Sequence, residues 1–246
     1  MSKNTLKYLL ILLGVIAVLS LYFISRPNFA RGNTYTADII LNGLTLDQKI
    51  GQLVIGGFNG KTLNNETKNL LTRYYIGGFN FLERNIGNAK QTKSFIREMQ
   101  KIAWQSQFLP LFTAIDQEGG QIVRIKYLKE LSAQSKIKTA TAGARVASSR
   151  GKELKNLGFN MIFSPVLDYA SNSKSYLYAR SFKASPEKIK TYGAAMIRGY
   201  QKSGLVPVAK HFPGYGNMMS DPHKYRKIVN TEENIKITYD IFKNII

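Results

Sequence analysis

The chain has 246 residues, of which 44% are hydrophobic and 11% aromatic, enough apolar material to bury a core and to argue against intrinsic disorder. Cysteine is absent, which excludes a disulfide framework, a thiolate metal site and a thiol nucleophile, and leaves the redox compartment open. The formal charge is +20; Lys3, Lys7, Arg26 and Arg31 supply four of those charges with no acid among the first 33 residues, so the remaining body carries +16. That excess predicts attraction to anionic surfaces such as lipid headgroups, wall polymers or nucleic acid. The cations are scattered, however, and no nucleic-acid motif accompanies them, so general solubility accounts for them equally well and no nucleic-acid partner is expected.

The first predicted element is the run "LKYLLILLGVIAVLSLYFI" at 6–24, uncharged from Tyr8 onward and about long enough to cross a hydrocarbon core of roughly 30 Å as a helix. The basic residues on its N-terminal side favour a cytoplasmic N-terminus and an extracytoplasmic body. A cleaved signal peptide is the competing account, but "ISRPNFARGN" lacks a small-x-small cleavage pattern, so residues 1–33 are expected to be an uncleaved membrane anchor. A buried soluble helix would not need so long a charge-free middle. A short polar linker is expected around "RGNTYTAD".

Beyond it, Thr45 and Gln48 have capping-box spacing at the start of a helical turn. Five apolar, β-branched runs follow, at 52–58, 75–82, 109–116, 160–168 and 205–212, largely apolar on both faces as in a parallel sheet. Between them, "QTKSFIREMQKIAWQSQ" sets Phe95, Met99, Ile102 and Ser106 on one helical face. "SPEKIKTYGAAMIRGYQKSG" has Ser185 at the N-cap, Pro186 at N1, Ile189, Tyr192, Met196 and Tyr200 at helical spacing, and Gly204 as terminator. A last helix from Thr231 stacks Ile235, Tyr239, Phe242 and Ile246. This β-α alternation means a doubly wound sheet or a (β/α) barrel. Asp116, Asp168 and Lys210-His211 each fall at the C-terminal end of a predicted strand, where barrel enzymes assemble their sites, while "IGGFNG" is not G-x-G-x-x-G and no Walker motif occurs.

Three stretches carry chemistry. "AIDQEGGQIVRI" ends a strand with Asp116, turns at Gly119-Gly120 and carries Arg124; a strand-end carboxylate suits a vicinal diol, although capping a turn is an equally good account of Asp116. Arg180 in "YARSF" and Lys210 and His211 are donors that would converge with this one acid on a hydroxyl-rich or anionic ligand. Both histidines lie in "KHFPGYGNMMSDPHKY", twelve positions apart. Asp221 and His223, two apart around Pro222, fall on one side of an extended chain, so the carboxylate can orient the imidazole for acid/base work near neutral pH. Zinc ligation is the rival role, weakly supported without H-E-x-x-H or cysteine, and a capped surface histidine is the plain alternative.

In order and spacing, "LTLDQKIGQL", "AIDQEGGQIVRI", "FSPVLD", "ARSF" and "KHFPGYG…SDPHK" resemble the N-terminal barrel domain of family 3 glycoside hydrolases, in particular the bacterial β-N-acetylhexosaminidases that act on peptidoglycan fragments. The resemblance covers about residues 40–246 and implies a TIM-type (β/α)8 barrel, incomplete here with about five βα units and preceded by the anchor. It implies that Asp116 accepts sugar hydroxyls, that Arg124, Arg180, Lys210 and His211 bind substrate, and that His223, oriented by Asp221 on a mobile loop, is the acid/base. It implies a glycan partner bearing N-acetylglucosamine, and neither cofactor nor metal.

Two departures follow. The family's Asp-Ser-His reads Asp-Pro-His here. The retaining mechanism also needs an aspartate nucleophile about 5 Å across the sugar, carried on a later strand in a Ser-Asp-type motif. Neither Asp240 nor any other acid of this chain sits in that context, and about three barrel strands have no counterpart. A truncated enzyme, with apolar sheet edges that a second chain would complete, is therefore expected; a non-catalytic sugar-binding remnant and an anionic-polymer-binding membrane protein are the alternatives.

Overall fold

The computed structural model describes residues 34–221, 223–224 and 232–245. The anchor expected within residues 1–33 lies outside them, as do Pro222 and Ile246; among the described residues no helix is long and apolar enough to cross a membrane. The chain divides after Thr45. In the first unit the expected polar linker is instead helical from Thr34: α1 spans Thr34–Gly43, uninterrupted by glycine or proline until its last residue.

The second unit begins with α2 (Leu46–Gln52) and β1 (Ile55–Gly56) and continues with α3 (Asn65–Thr72), β2 (Gly78–Phe81), α4 (Ala89–Gln107) and β3 (Phe112–Ile115). It ends with α5 (Ala140–Leu157), β4 (Met161–Ile162), α6 (Pro186–Lys202), β5 (Val206–Pro207) and α7 (Glu232–Lys243). All strand pairs are parallel, in the order β1-β2-β3-β4-β5. A doubly wound sheet would reverse its order at a switch point. Sequential neighbours instead trace the arc of a (β/α) barrel.

The strands are shorter than the apolar runs predicted, because those runs include the segments that climb to the sheet's C-terminal rim. Between β4 and β5 the pairing continues past both strands: Val208 N donates to Ile162 O (2.8 Å), Lys210 N to Pro165 O (3.0 Å) and Leu167 N to Lys210 O (2.7 Å). This extension carries Lys210 to the rim beside Asp168.

On the helix-covered face, Phe79, Phe81, Ile115 and Ile162 are fully buried. Phe58 meets Phe79, Phe81 and Phe95 edge-on, with centroids 4.9–5.7 Å apart, and Phe159 closes on Phe81 at 5.1 Å. Each such ring contributes about 1.5–3 kcal/mol by leaving water. The Asn88 side chain caps α4 by accepting from Gln91 N (2.9 Å), and Thr139 caps α5 by accepting from Ala142 N (3.1 Å).

Phe95 and Met99 are buried as expected, as are Ile189, Tyr192, Met196 and Tyr200, whereas Ile102 and Ser106 are half-buried. Ser185 occupies the N-cap of α6 without a side-chain cap bond; Pro186 at N1 has no N–H to satisfy there. On α7 the buried residues are Thr238, Ile241 and Phe242, and Tyr239 is exposed, so the expected Ile235-Tyr239-Phe242 stripe is rotated. The reason is local: Phe212 and the Gly214 backbone meet this helix, and a Cβ on Gly214 would lie 2.6 Å from that of Thr238. Among the described residues β1 and β5 each have one strand partner, and Ile55 on β1 and Val206 on β5 are exposed, as expected for an open sheet.

Candidate active site

The loop after β3 is shaped by its two glycines, which turn at φ +85° (Gly119) and +62° (Gly120). A Cβ on Gly119 would stand 2.2 Å from Ser132 O and 2.6 Å from Arg150 Nη2, so no other residue fits. The buried Gln117 side chain folds the distal part back, accepting from Arg124 N (2.8 Å) and Ile125 N (3.0 Å) and donating to Ile125 O (3.1 Å). Asp116, Glu118 and Arg124 are thereby delivered to one rim.

There they meet residues from three other segments. Lys210 Nζ donates to Asp116 Oδ1 (2.5 Å) and Glu118 Oε1 (2.7 Å). Asn80 Nδ2, from β2, donates to Asp116 Oδ2 (3.2 Å). Arg180 forks onto Glu118, Nε to Oε2 at 3.0 Å and Nη2 to Oε1 at 2.7 Å, and lies over the Tyr176 ring at 5.3 Å. The site thus holds three acids, Asp116, Glu118 and the strand-end Asp168, where the sequence assigned a binding role to Asp116 alone.

His211 bridges the network to Asp168. Its Nδ1 is 2.7 Å from Asp168 Oδ2, and its Nε2 is 3.3 Å from Arg180 Nη2. A guanidinium only donates, so Nε2 is the acceptor and the proton sits on Nδ1, directed at Asp168. Asp168, fully buried, also accepts from His211 N (2.9 Å) and Tyr215 N (2.7 Å). The Lys210–His211 and Phe212–Pro213 peptides are cis.

Burial pushes the Asp116 carboxyl up, but the charge and hydrogen bond of Lys210, supported by Asn80 and Arg124, outweigh it and hold the group below its ordinary value. Glu118 behaves alike: burial is opposed by the Arg180 hydrogen bond and the Lys210 charge, and the net shift is downward. Arg180 moves the other way, burial being overcome by Glu118, so the pair stays ionised.

Of the predicted site residues, Asp116, Arg180, Lys210 and His211 form one hydrogen-bonded cluster. Arg124 is within electrostatic reach of Asp116, and its Nε is buried without a partner among the described residues. Asp221 and His223 stand apart. Asp221 Oδ1 accepts from His223 N (3.0 Å) and lies 2.8 Å from Nδ1, so the orienting pair exists, yet His223 is 78% exposed with Asp221 its only side-chain partner among the described residues. The bonds from His223, backbone first and then imidazole, lower the Asp221 carboxyl.

The start of that loop is pinned rather than free. Ser175 Oγ donates to Gly216 O (3.1 Å), Tyr176 N to Met218 O (2.8 Å), and Asn172 N to Asn217 Oδ1 (2.8 Å). Glu118 and Asn80 were not among the expected site residues, and Asp168 was expected only as a strand-end acid at the rim. Their signals were an acid two positions after Asp116, a lone amide within the apolar "GFNF", and an acid ending a strand. Among the described residues no three histidine or acidic side chains converge as a metal-ligand set.

Comparison with known proteins bears on this geometry. Beta-hexosaminidase A of Pseudoalteromonas piscicida is 36% identical over 172 residues, which span 66% of this chain and 29% of that protein. The beta-hexosaminidase of Photobacterium profundum is 29% identical over 182 residues, 72% of this chain and 53% of its own length. The chain thus spans about half or less of these curated relatives. Among solved structures, a glycoside hydrolase family 3 beta-N-acetylglucosaminidase from Paenibacillus superposes with a TM-score of 0.73 at 31% identity, over 82% of this chain and 40% of that one. NagZ from Neisseria gonorrhoeae superposes at 0.67 and 25% identity, over 78% and 59%. The sequence profile of the glycosyl hydrolase family 3 N terminal domain matches residues 45–242, and this chain belongs to that family.

Proposed function

We propose that the chain is the sugar-binding part of a β-N-acetylhexosaminidase-type glycoside hydrolase that removes terminal N-acetylglucosamine from peptidoglycan-type glycans. One observation carries this: at the C-terminal rim of a parallel βα arc, Asp116 is held ionised by Lys210 within a ring of donors, an arrangement suited to vicinal hydroxyls. In this proposal Asp116 accepts hydroxyl protons, Arg124, Arg180, Lys210 and His211 surround the sugar, and His223, aligned by Asp221, transfers the proton to and from the glycosidic oxygen. Chemistry would proceed by double displacement on an aspartate nucleophile. Asp116, Glu118 and Asp168 are all committed to cations or to His211, which leaves none of them for that role.

That commitment, with the exposure of His223, favours a second form of the proposal in which the isolated 246-residue chain binds sugar without turning it over. Isothermal titration with N-acetylglucosamine, beside release of 4-nitrophenol from the aryl N-acetylglucosaminide, separates the two. Binding with turnover supports the hydrolase, and binding alone supports the second form. Absence of both refutes the sugar site. We further propose that residues 6–24 anchor the chain with its body on the extracytoplasmic side; extraction at alkaline pH would leave an anchored chain in the membrane pellet and release an unanchored one.

A further inference from the structure

Glu118 has no direct route to a ligand. It is 1% exposed, yet it binds more cations than either other carboxylate of the cluster: Arg180, through both nitrogens of its fork, and Lys210 through Nζ. Its backbone is fixed as well, N donating to Ile122 O (3.0 Å) and O accepting from the fully buried Arg150 (2.8 Å). Such a carboxylate cannot swing away to release the cations it holds.

The charges at the rim balance, with the flanking Arg150 and Lys126 matched by Glu130 and Glu83. Arg124, Arg180 and Lys210 stand against Asp116, Glu118 and Asp168, and His211 is neutral by the direction of its two hydrogen bonds. Without the Glu118 charge the rim carries a net positive charge, and Asp116 is left as the carboxylate nearest to Lys210. The acid that would accept sugar hydroxyls is then drawn further into ion pairing, and two partly uncovered cations face the opening.

We infer that Glu118 is a positioning and specificity residue: it absorbs the charge of Arg180 and Lys210 so that the site takes an uncharged polyol and rejects anions. This rests on the proposal that the site takes a neutral sugar, but its own test does not depend on that sugar. The full chain and its Glu118→Gln variant would be titrated with inorganic phosphate and, separately, with N-acetylglucosamine, folding being checked by circular dichroism. The variant is expected to gain phosphate binding at least tenfold, weakening with salt, and to lose N-acetylglucosamine binding by a similar factor. The double variant E118Q/R180Q, neutral again, is expected to lose the phosphate. A folded E118Q that binds phosphate no better than the natural chain, or a double variant that still binds it as E118Q does, overturns the inference. Arg180→Gln alone leaves the buried carboxylate in place and covers the case in which E118Q does not fold; phosphate binding acquired by R180Q also overturns it. Failure of the natural chain to bind N-acetylglucosamine would instead count against the sugar proposal and leave the phosphate comparison intact.

Discussion

Asp116 and His223 are separated in the structure by partners, exposure and chemistry, and their substitutions should separate in kind. Asp116→Ala removes the acceptor at the centre of the rim and is expected to abolish N-acetylglucosamine binding in a calorimetric titration. His223→Ala touches no residue of that cluster; binding should stay within about twofold while any hydrolysis falls by about 10²–10⁴, the usual contribution of general acid–base catalysis. Equal loss of binding in both variants would contradict this division. The depressed carboxyls also set a pH dependence. Asp116 and Glu118 lie below their ordinary values of 3.8 and 4.5, so the folded state binds fewer protons than the unfolded state near those values. Their stabilisation is complete above about pH 4.5 and is lost as pH falls through the lower folded values. Denaturant melts from pH 7 to 2.5 should therefore show an acid limb, shallower in E118Q. Residue types at the rim were legible because an acid, an arginine or a Lys-His pair ending an apolar run is conspicuous. Glu118 was overlooked because nothing local distinguishes a buried, doubly paired glutamate from a solvated one.

At the scale of elements, α4 and α6 announced themselves through apolar residues at helical spacing. Helix α5 did not, because Gly143, Ala147, Arg150 and Gly151 interrupt the large apolar residues Val146, Leu154 and Leu157 on its buried face. Close approach explains the small residues: a Cβ on Gly199 of α6 would lie 2.7 Å from Ala144 O. Arg150 ties α5 to the site loop, donating to Glu118 O (2.8 Å), Ser132 O (2.8 Å) and Tyr200 Oη (3.1 Å). Arg150→Met should cost several kcal/mol, since each buried acceptor left unpaired costs about 1–3 kcal/mol, and should loosen the loop bearing Asp116. Chemical denaturation and amide exchange at residues 116–124 would register both. Gly119→Ala should be at least as damaging, because its Cβ meets the Ser132 carbonyl and Arg150 together. A wild-type melting curve for either variant would show that this loop is not held as described.

The second unit carries an open parallel arc of strands. Among the described residues its end strands β1 and β5 each have one strand partner, and Ile55 and Val206 on them are exposed. Such edges are sites of association. The body, residues 34–246, is expected to self-associate, with Val206→Lys shifting it toward monomer in light scattering at low micromolar concentration. A strictly monomeric body would rule this out. What the sequence by itself determined is the βα alternation, the polar residues that end its strands and the family they point to, because apolar periodicity and strand-end polarity are local patterns. Only the tertiary structure decided the pairing. Arg180 reaches Glu118 across 62 residues and Lys210 reaches Asp116 across 94, and which cation meets which acid depends on sheet register and on where each rim segment turns. No local pattern encodes that register, and with it the tertiary structure also decided the proton position on His211 and the charge balance that Glu118 completes.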